Sequence, residues 1–306
     1  MWPPEEVVSE LCLRGDLWQA APGLVGMRGR LFDLARDVEM AIAAVARAET
    51  GDEWRVPSGI AFDTLETAQY FASFPQWLTA ASHLSGDEAL LEQVATSASP
   101  GASARRCMSP ASAALSPAVC YHIYAALAGC SIDERKLMTA EATCWRHEGD
   151  RFAPLARGWA FQMREIVFVG TARGAEEFRQ RGMVSASALA ASLGIETAMS
   201  EATDPFFAPT ARGRLLLQRL KALKHELTIE HSDGRQLAIA SFNNHESFFG
   251  EAFGISLLDG SPAYSACVAY GLDRWLLAFL VTHGPDAAAW PAIDAASLME
   301  LIPGGH

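Results

Sequence analysis

Between residues 28 and 49, "RGRLFDLARDVEMAIAAVARAE", apolar side chains recur at Leu31, Leu34, Val38, Ile42 and Val45. Steps of three and four place them on one face, so the spacing predicts an amphipathic helix of about six turns. Beyond the turn-rich "TGDEWRVPSG" the segments shorten. "FPQWLTAAS" (74–82) reads as a strand and "GDEALLEQVAT" (86–96) as a helix. The Ser-, Ala- and Pro-rich stretch 97–118 is either a loop or a set of short strands. Two long strands are predicted near 139–147 and over "WAFQMREIVFVG" (159–170), whose end is β-branched and aromatic. Gly, Asp and Pro in 148–158 make the connection a long polar hairpin loop.

A helical run covers 173–193. In "TARGRLLLQRLKALKHEL" (210–227), Leu216, Leu220, Leu223 and Leu227 make one apolar stripe, while Arg212, Arg214, Arg219, Lys221 and Lys224 crowd the remainder. The pattern predicts a basic amphipathic helix. "ELTIEHSDGRQLAIASFNNH" reads as a hairpin, and "SACVAYGLDRWLLAFLVTHG" begins as a strand and turns helical at about Leu272. Helices alternate with hairpins and there is no βαβα rhythm, which points to an α+β fold with an antiparallel sheet. One domain, 1–306, is expected, with a helical N-terminal part over 1–60 and a basic insertion over 205–230. No internal repeat is visible.

Composition narrows the function classes. A chain of 306 residues that is 50% hydrophobic and 20% charged can bury a substantial core. Its net charge of −12 disfavours the counterion-releasing contacts of nucleic-acid binders. "MWPPEEVVSE" has no basic, apolar leader, and the most hydrophobic late segment is interrupted by Asp273 and Arg274, so neither export nor a membrane span is expected. Cys12, Cys107, Cys120, Cys130, Cys144 and Cys267 are scattered without a CxxC pair. Free thiols in a reducing cytoplasm are the expectation.

Neither GxGxxG nor GxxxxGK[ST] occurs, so any nucleotide is held without a glycine cradle. Arginine can serve instead, because its fork meets phosphate or carboxylate oxygens in pairs. In "WRHE", Arg146 and Glu148 are two apart on a predicted strand and so face the same side. Phe161, on the returning strand, could stack on a purine, and Arg274 in "GLDR" opens the last helix as a second phosphate ligand. Singly, each has an ordinary reading: an exposed Arg–Glu pair, a core phenylalanine, a buried cysteine.

Together and in this order, the segments resemble the class II aminoacyl-tRNA synthetase catalytic domain. "ETAQYFASFPQWLTAAS" (66–82) is similar to motif 1, the dimer-interface helix and strand, with its proline at Pro75. "AEATCWRHEG" with "LARGWAFQMRE" resembles motif 2, and "AYGLDRWLLAF" resembles motif 3. The resemblance implies a homodimer with an antiparallel sheet flanked by helices. It implies that Arg146 binds the α-phosphate of ATP and the substrate carboxylate, that Glu148 reads the adenine amino group, and that Phe161 stacks on adenine. Arg274 would cover the other face of the base and hold the γ-phosphate.

Within that class the chain looks closest to the threonyl and archaeal-type seryl enzymes, which hold the substrate amine on zinc. By resemblance the ligands are Cys120, in "SPAVCYHIY", with Glu165 and Cys267. Three protein ligands leave a fourth zinc position for substrate. A zinc-bearing, seryl-like domain with no tRNA-binding domain is similar to the amino acid:[carrier protein] ligases. Those enzymes activate glycine or alanine and pass it to the phosphopantetheine thiol of a small acidic carrier protein. "ASFNNHESFFG" resembles their S-x-N-x-H stretch, which implies Ser241 and Asn243 in the amino acid pocket. The resemblance gives Arg212, Arg214, Arg219, Lys221 and Lys224 a role in docking the carrier. Mg2+ is expected with ATP.

Two departures stand out. Asp273 replaces the glutamate common before the motif 3 arginine, and "RQLAIASFN" has no acidic residue for magnesium. Two other functions are compatible with the pattern: a non-catalytic synthetase-like regulatory subunit, and a tRNA synthetase that relies on a separate tRNA-binding subunit.

Overall fold

A computed structural model describes residues 1–149, 151–204, 221–230 and 234–294. At its centre is a seven-stranded sheet: β1 (Glu53–Arg55), β2 (Arg135–Trp145), β3 (Ala160–Gly170), β4 (Ala198–Glu201), β5 (Lys224–Glu230), β6 (Gln236–Glu246) and β7 (Tyr264–Gly271). The spatial order is β4-β5-β6-β7-β3-β2-β1. Every neighbouring pair is antiparallel except β1 with β2, which is parallel. The hairpin of β2 and β3 runs in register from Arg135↔Gly170 to Trp145↔Ala160, as the two long apolar segments anticipate.

Side-chain alternation along β3 divides the interior in two. Ile166 and Phe168 belong to a core formed with helices α1 (Gly29–Glu49), α3 (Ala172–Ser192) and α4 (Leu272–His283). Met163, Val167 and Val169 face a second core with helix α2 (Cys120–Ala126) and the short helix Phe248–Phe253. The stripe foreseen on α1 is buried at Leu31, Leu34, Val38, Ile42 and Val45. On the α1 side, Arg164 is a buried charge. It is 4% exposed, and pairs at 2.7 Å with Glu39 of α1 and at 2.9 Å with Glu53 of β1. Removing either acid would strip a partner from a buried charge.

Several elements differ from the sequence expectations. The segment 74–82 is a 3-10 turn at Pro75–Trp77 and only a two-residue strand, Ala80–Ala81, because Pro75 favours the first turn of a helix. Within 97–118 there is a helix, Pro100–Arg106, as well as a short strand, Ala113–Leu115. The N-terminal part adds a hairpin, Leu17–Ala21 with Leu24–Met27, to its helices. Of the basic helix expected over 210–227, residues 210–220 lie outside the described residues. Its last four residues are strand instead: Leu227 pairs with Ala240 and is 1% exposed, so the leucine that completed the helical stripe belongs to the sheet core. Among the described residues, no helix is long and apolar enough to cross a membrane.

Candidate active site

A cleft opens where β2 and β3 meet the start of α4. Arg146, Glu148, Phe161, Glu226, Asp273 and Arg274 line it, together with Lys224 and Ser241. β2 ends at Trp145, so Arg146 and Glu148 stand just past the strand and not on it; a turn joins them, with the Glu148 N–H donating to the Arg146 carbonyl at 3.1 Å. Arg146 Nε donates to the Pro117 carbonyl at 2.9 Å. Its guanidinium carbon is 5.3 Å from the Phe161 ring centroid and 5.5 Å from that of Trp77, two cation–π contacts. Trp77 is itself stacked on Phe74 at 5.3 Å with 5° between the planes. One face of Phe161 is therefore already occupied by Arg146. Glu148 reaches Arg157, across the loop, at 3.5 Å.

Arg274 is fixed by two backbone carbonyls: Nε donates to Ala156 at 2.8 Å and Nη1 to Ala238 at 2.9 Å. Beside it, Asp273 accepts from the Gln162 N–H at 3.1 Å. That bond ties the strand carrying Phe161 to the helix carrying Arg274. Burial pushes the Asp273 carboxyl up to about 6.

The residues expected to dock a carrier separate. Arg212, Arg214 and Arg219 lie outside the described residues. Lys221 is exposed and bonds Glu246 at 2.7 Å. Lys224 is a correction: it is 8% exposed, lines the cleft, and pairs with Asp204 at 2.6 Å and Glu226 at 3.0 Å. Burial lowers its pKa, but the charges of Asp204 and Glu226 outweigh burial and raise it overall. A side chain withdrawn from the surface in this way cannot meet a partner protein there. Glu226, opposite Ser241 in the β5–β6 register, also puts an acid in the cleft from the strand next to "RQLAIASFN". Sequence reasoning missed both. The alternation Lys-x-Glu-x-Thr in "KHELTIE" was the available signal for a strand with one polar face.

Further into the second core, Cys120, Glu165 and Cys267 come together from α2, β3 and β7. Their ligand atoms lie within 4.8 Å of one another, and all three residues are buried. Glu165 Oε1 accepts from the Val119 N–H at 3.0 Å, while Oε2 is buried with no hydrogen bond. Burial, reinforced by Cys267, pushes Glu165 up to about 7. A hydrogen bond from Cys120 holds the Cys267 thiol well below its ordinary range, and the charge of His245 helps; the same bond holds Cys120 well above it. Two sulfurs and an unsatisfied carboxylate oxygen, buried together, match the donor set of a zinc-type site. Around this group, His245 Nε2 lies 3.8 Å from Cys267 Sγ, and its Nδ1 lies 3.2 Å from the Tyr124 hydroxyl. Asn243 Nδ2 donates to both Ser241 Oγ at 3.3 Å and Cys267 Sγ at 3.5 Å, so it joins the cleft to the triad.

No family model matches the chain. It is 36% identical over 257 residues to amino acid–[acyl-carrier-protein] ligase 1 of Bradyrhizobium diazoefficiens, covering 83% of this chain and 78% of that protein. Ligase 2 of the same organism is 35% identical over 283 residues, covering 89% and 81%. The chain belongs to the amino acid–[acyl-carrier-protein] ligase family. A more distant relation, at 26% identity over 58% of this chain and 36% of the relative, links the ligase to the type-2 serine–tRNA ligase of Methanopyrus kandleri. In fold, the ligase superposes with a TM-score of 0.84 on a chain from the crystal structure of A. aeolicus tRNASec in complex with M. kandleri SerRS. The match covers 96% of the ligase and 60% of that chain at 19% identity. The α+β, class II synthetase-like sheet is thereby established.

Proposed function

We propose that the protein activates glycine or alanine with ATP and transfers the aminoacyl group to the phosphopantetheine thiol of a small acidic carrier protein. The observation that carries this reading is the continuity of the arginine-lined cleft with the buried triad through Asn243, in a chain of this family. Cys120, Glu165 and Cys267 would hold zinc, which supplies, when bound, a Lewis-acid seat for a neutral substrate amine.

The chain's own residues do the rest. Arg146, already oriented by Pro117, Trp77 and Phe161, aligns the substrate carboxylate with the α-phosphate of ATP. A carboxylate oxygen attacks the α-phosphorus, the bond to pyrophosphate breaks, and the aminoacyl adenylate remains. Arg274 neutralises the departing phosphates, held by Ala156 and Ala238 so that it need not reorganise. Glu148 reads the adenine amino group and Phe161 stacks on the ring. Ser241 and Asn243 line the amino acid pocket. Mg2+ accompanies the phosphates, and Glu226 is a cleft acid at hand. The carrier thiol then attacks the carbonyl carbon and AMP leaves. Arg212, Arg214, Arg219 and Lys221 remain the docking residues of this reading, and the active form is a homodimer.

The experiment is to incubate the protein with ATP and labelled glycine or alanine, offering a phosphopantetheinylated acidic carrier protein or bulk tRNA as acceptor. The expected result is label on the carrier as a hydroxylamine-sensitive thioester. Label on tRNA, with the carrier unlabelled, would contradict the reading.

A further inference from the structure

Two side chains of β6 approach the Cys267 sulfur from outside the triad: Asn243 Nδ2 at 3.5 Å and His245 Nε2 at 3.8 Å. Asn243 is placed by the sheet alone, because it stands directly opposite Cys267 in the β6–β7 register. His245 needs more. The pairing shifts between Asn244, opposite Ala266, and Glu246, opposite Ser265, so His245 is the extra residue of a β-bulge. Glu246 closes the bulge at a φ of 53°, a left-handed conformation that a residue with a side chain seldom adopts. Bulges beside active sites re-aim a side chain. Here the re-aimed ring is held from several sides: Nδ1 lies 3.2 Å from the Tyr124 hydroxyl and 3.4 Å from that of Ser265, and the Phe249 ring packs edge to face at 4.9 Å. Tyr124 lies on α2 one turn after Cys120, so the helix that supplies one sulfur also orients the ring behind the other.

His245 is not a fourth ligand. The donor atoms that all lie within 4.8 Å of one another are those of Cys120, Glu165 and Cys267, and His245 falls outside that group. Once Cys267 has lost its proton to bind a metal, its sulfur can only accept hydrogen bonds. The ring N–H that faces it is then at Nε2, which leaves Nδ1 of the neutral ring to accept from Tyr124. We infer that His245 is a positioning residue of the metal site: its Nε2–H donates to the Cys267 thiolate, and Tyr124 fixes the ring that does so. The inference rests on the reading of Cys120, Glu165 and Cys267 as zinc ligands. A charge-assisted bond of this kind holds the sulfur in its ligating orientation and shares its negative charge.

Titrating zinc-loaded protein with a chromophoric chelator of known affinity reads the effect without any turnover. His245→Ala is expected to weaken zinc binding about 10- to 100-fold, the usual cost of losing an outer partner of a metal ligand. His245→Gln, whose side-chain amide can carry an N–H to the same sulfur, should stay within about threefold of the wild type. Tyr124→Phe keeps the ring that packs on His245 and should lose about three- to tenfold. A histidine that only fills space would lower the thermal midpoint and leave zinc affinity where it was. Unchanged affinity in His245→Ala or Tyr124→Phe, or equal losses in His245→Ala and His245→Gln, would overturn the assignment while leaving the zinc reading intact. Wild-type protein that takes up no zinc would overturn both.

Discussion

On the proposed reading, the nucleotide end of the cleft has its cations already tied to the protein: Arg274 to two carbonyls, Arg146 to a third carbonyl and two aromatic rings. At the end proposed for the amino acid a polar atom is left waiting: Glu165 Oε2 is buried and unbonded. The difference is one of preorganisation. An arginine proposed to meet highly charged phosphates can be fixed in advance, because a preplaced charge needs no rearrangement during reaction. A small zwitterion such as glycine offers few atoms, so each must replace something the protein lacks without it. On the proposed reading, the amino acid end would discriminate by keeping a buried group unsatisfied until metal and substrate are bound.

Breaking the triad should break the comparison hardest. Cys267→Ala or Glu165→Gln is expected to leave the purified protein below one equivalent of metal and to cut pyrophosphate exchange by about 10³-fold or more, and exhaustive chelation of the wild type should do the same. Mass-spectrometric metal analysis beside the exchange assay checks both. Next, Arg274→Ala removes a preplaced charge and should lower kcat/KM for ATP by about 10²- to 10³-fold, with little effect on the KM for the amino acid. A loss shared equally between the two substrates would mean that the two ends are not distinct.

Asp273 yields a stability effect. Its folded-state pKa, about 6, lies above the ordinary 3.8, so the folded protein holds this proton more tightly than the unfolded chain. The group contributes stability at low pH, and that contribution is lost as pH rises through about 6. Asp273→Asn keeps an oxygen for the Gln162 N–H and removes the loss, so it should stabilise the free protein at pH 7 by up to about 3 kcal/mol and flatten the pH dependence between roughly 4 and 6. Urea denaturation at pH 4 and pH 7 measures it. Smallest is the aromatic clamp: Trp77→Ala should reduce kcat/KM for ATP about three- to tenfold, whereas Trp77→Phe stays within about twofold.

Much of the frame was readable in the chain because its elements are long and strongly periodic. The α1 stripe, the β2–β3 hairpin and the switch to helix at Leu272 each follow a single hydrophobic period. The failures came where a pattern was short or shared. Leu216, Leu220, Leu223 and Leu227 keep helical spacing, but Leu227 also alternates with Ile229 as a strand, and burial between sheet neighbours decided it. That one choice also sent Lys224 into the cleft rather than to the surface. At the site, Cys120, Glu165 and Cys267 were legible only by resemblance, since nothing local links residues on three separate elements. Trp77 was hidden for another reason: in a segment rich in aromatic residues, nothing in the spacing separates a ring that clamps an arginine from one that fills a core.

The most direct test is amino-acid-dependent exchange of labelled pyrophosphate into ATP by metal-replete protein, with each standard amino acid offered singly and neither tRNA nor carrier present. Exchange with glycine or alanine and not with larger amino acids is the expected result, because it requires the nucleotide and amino acid ends to act as one site. Exchange with none of them, on protein shown to hold its metal, would contradict the central claim.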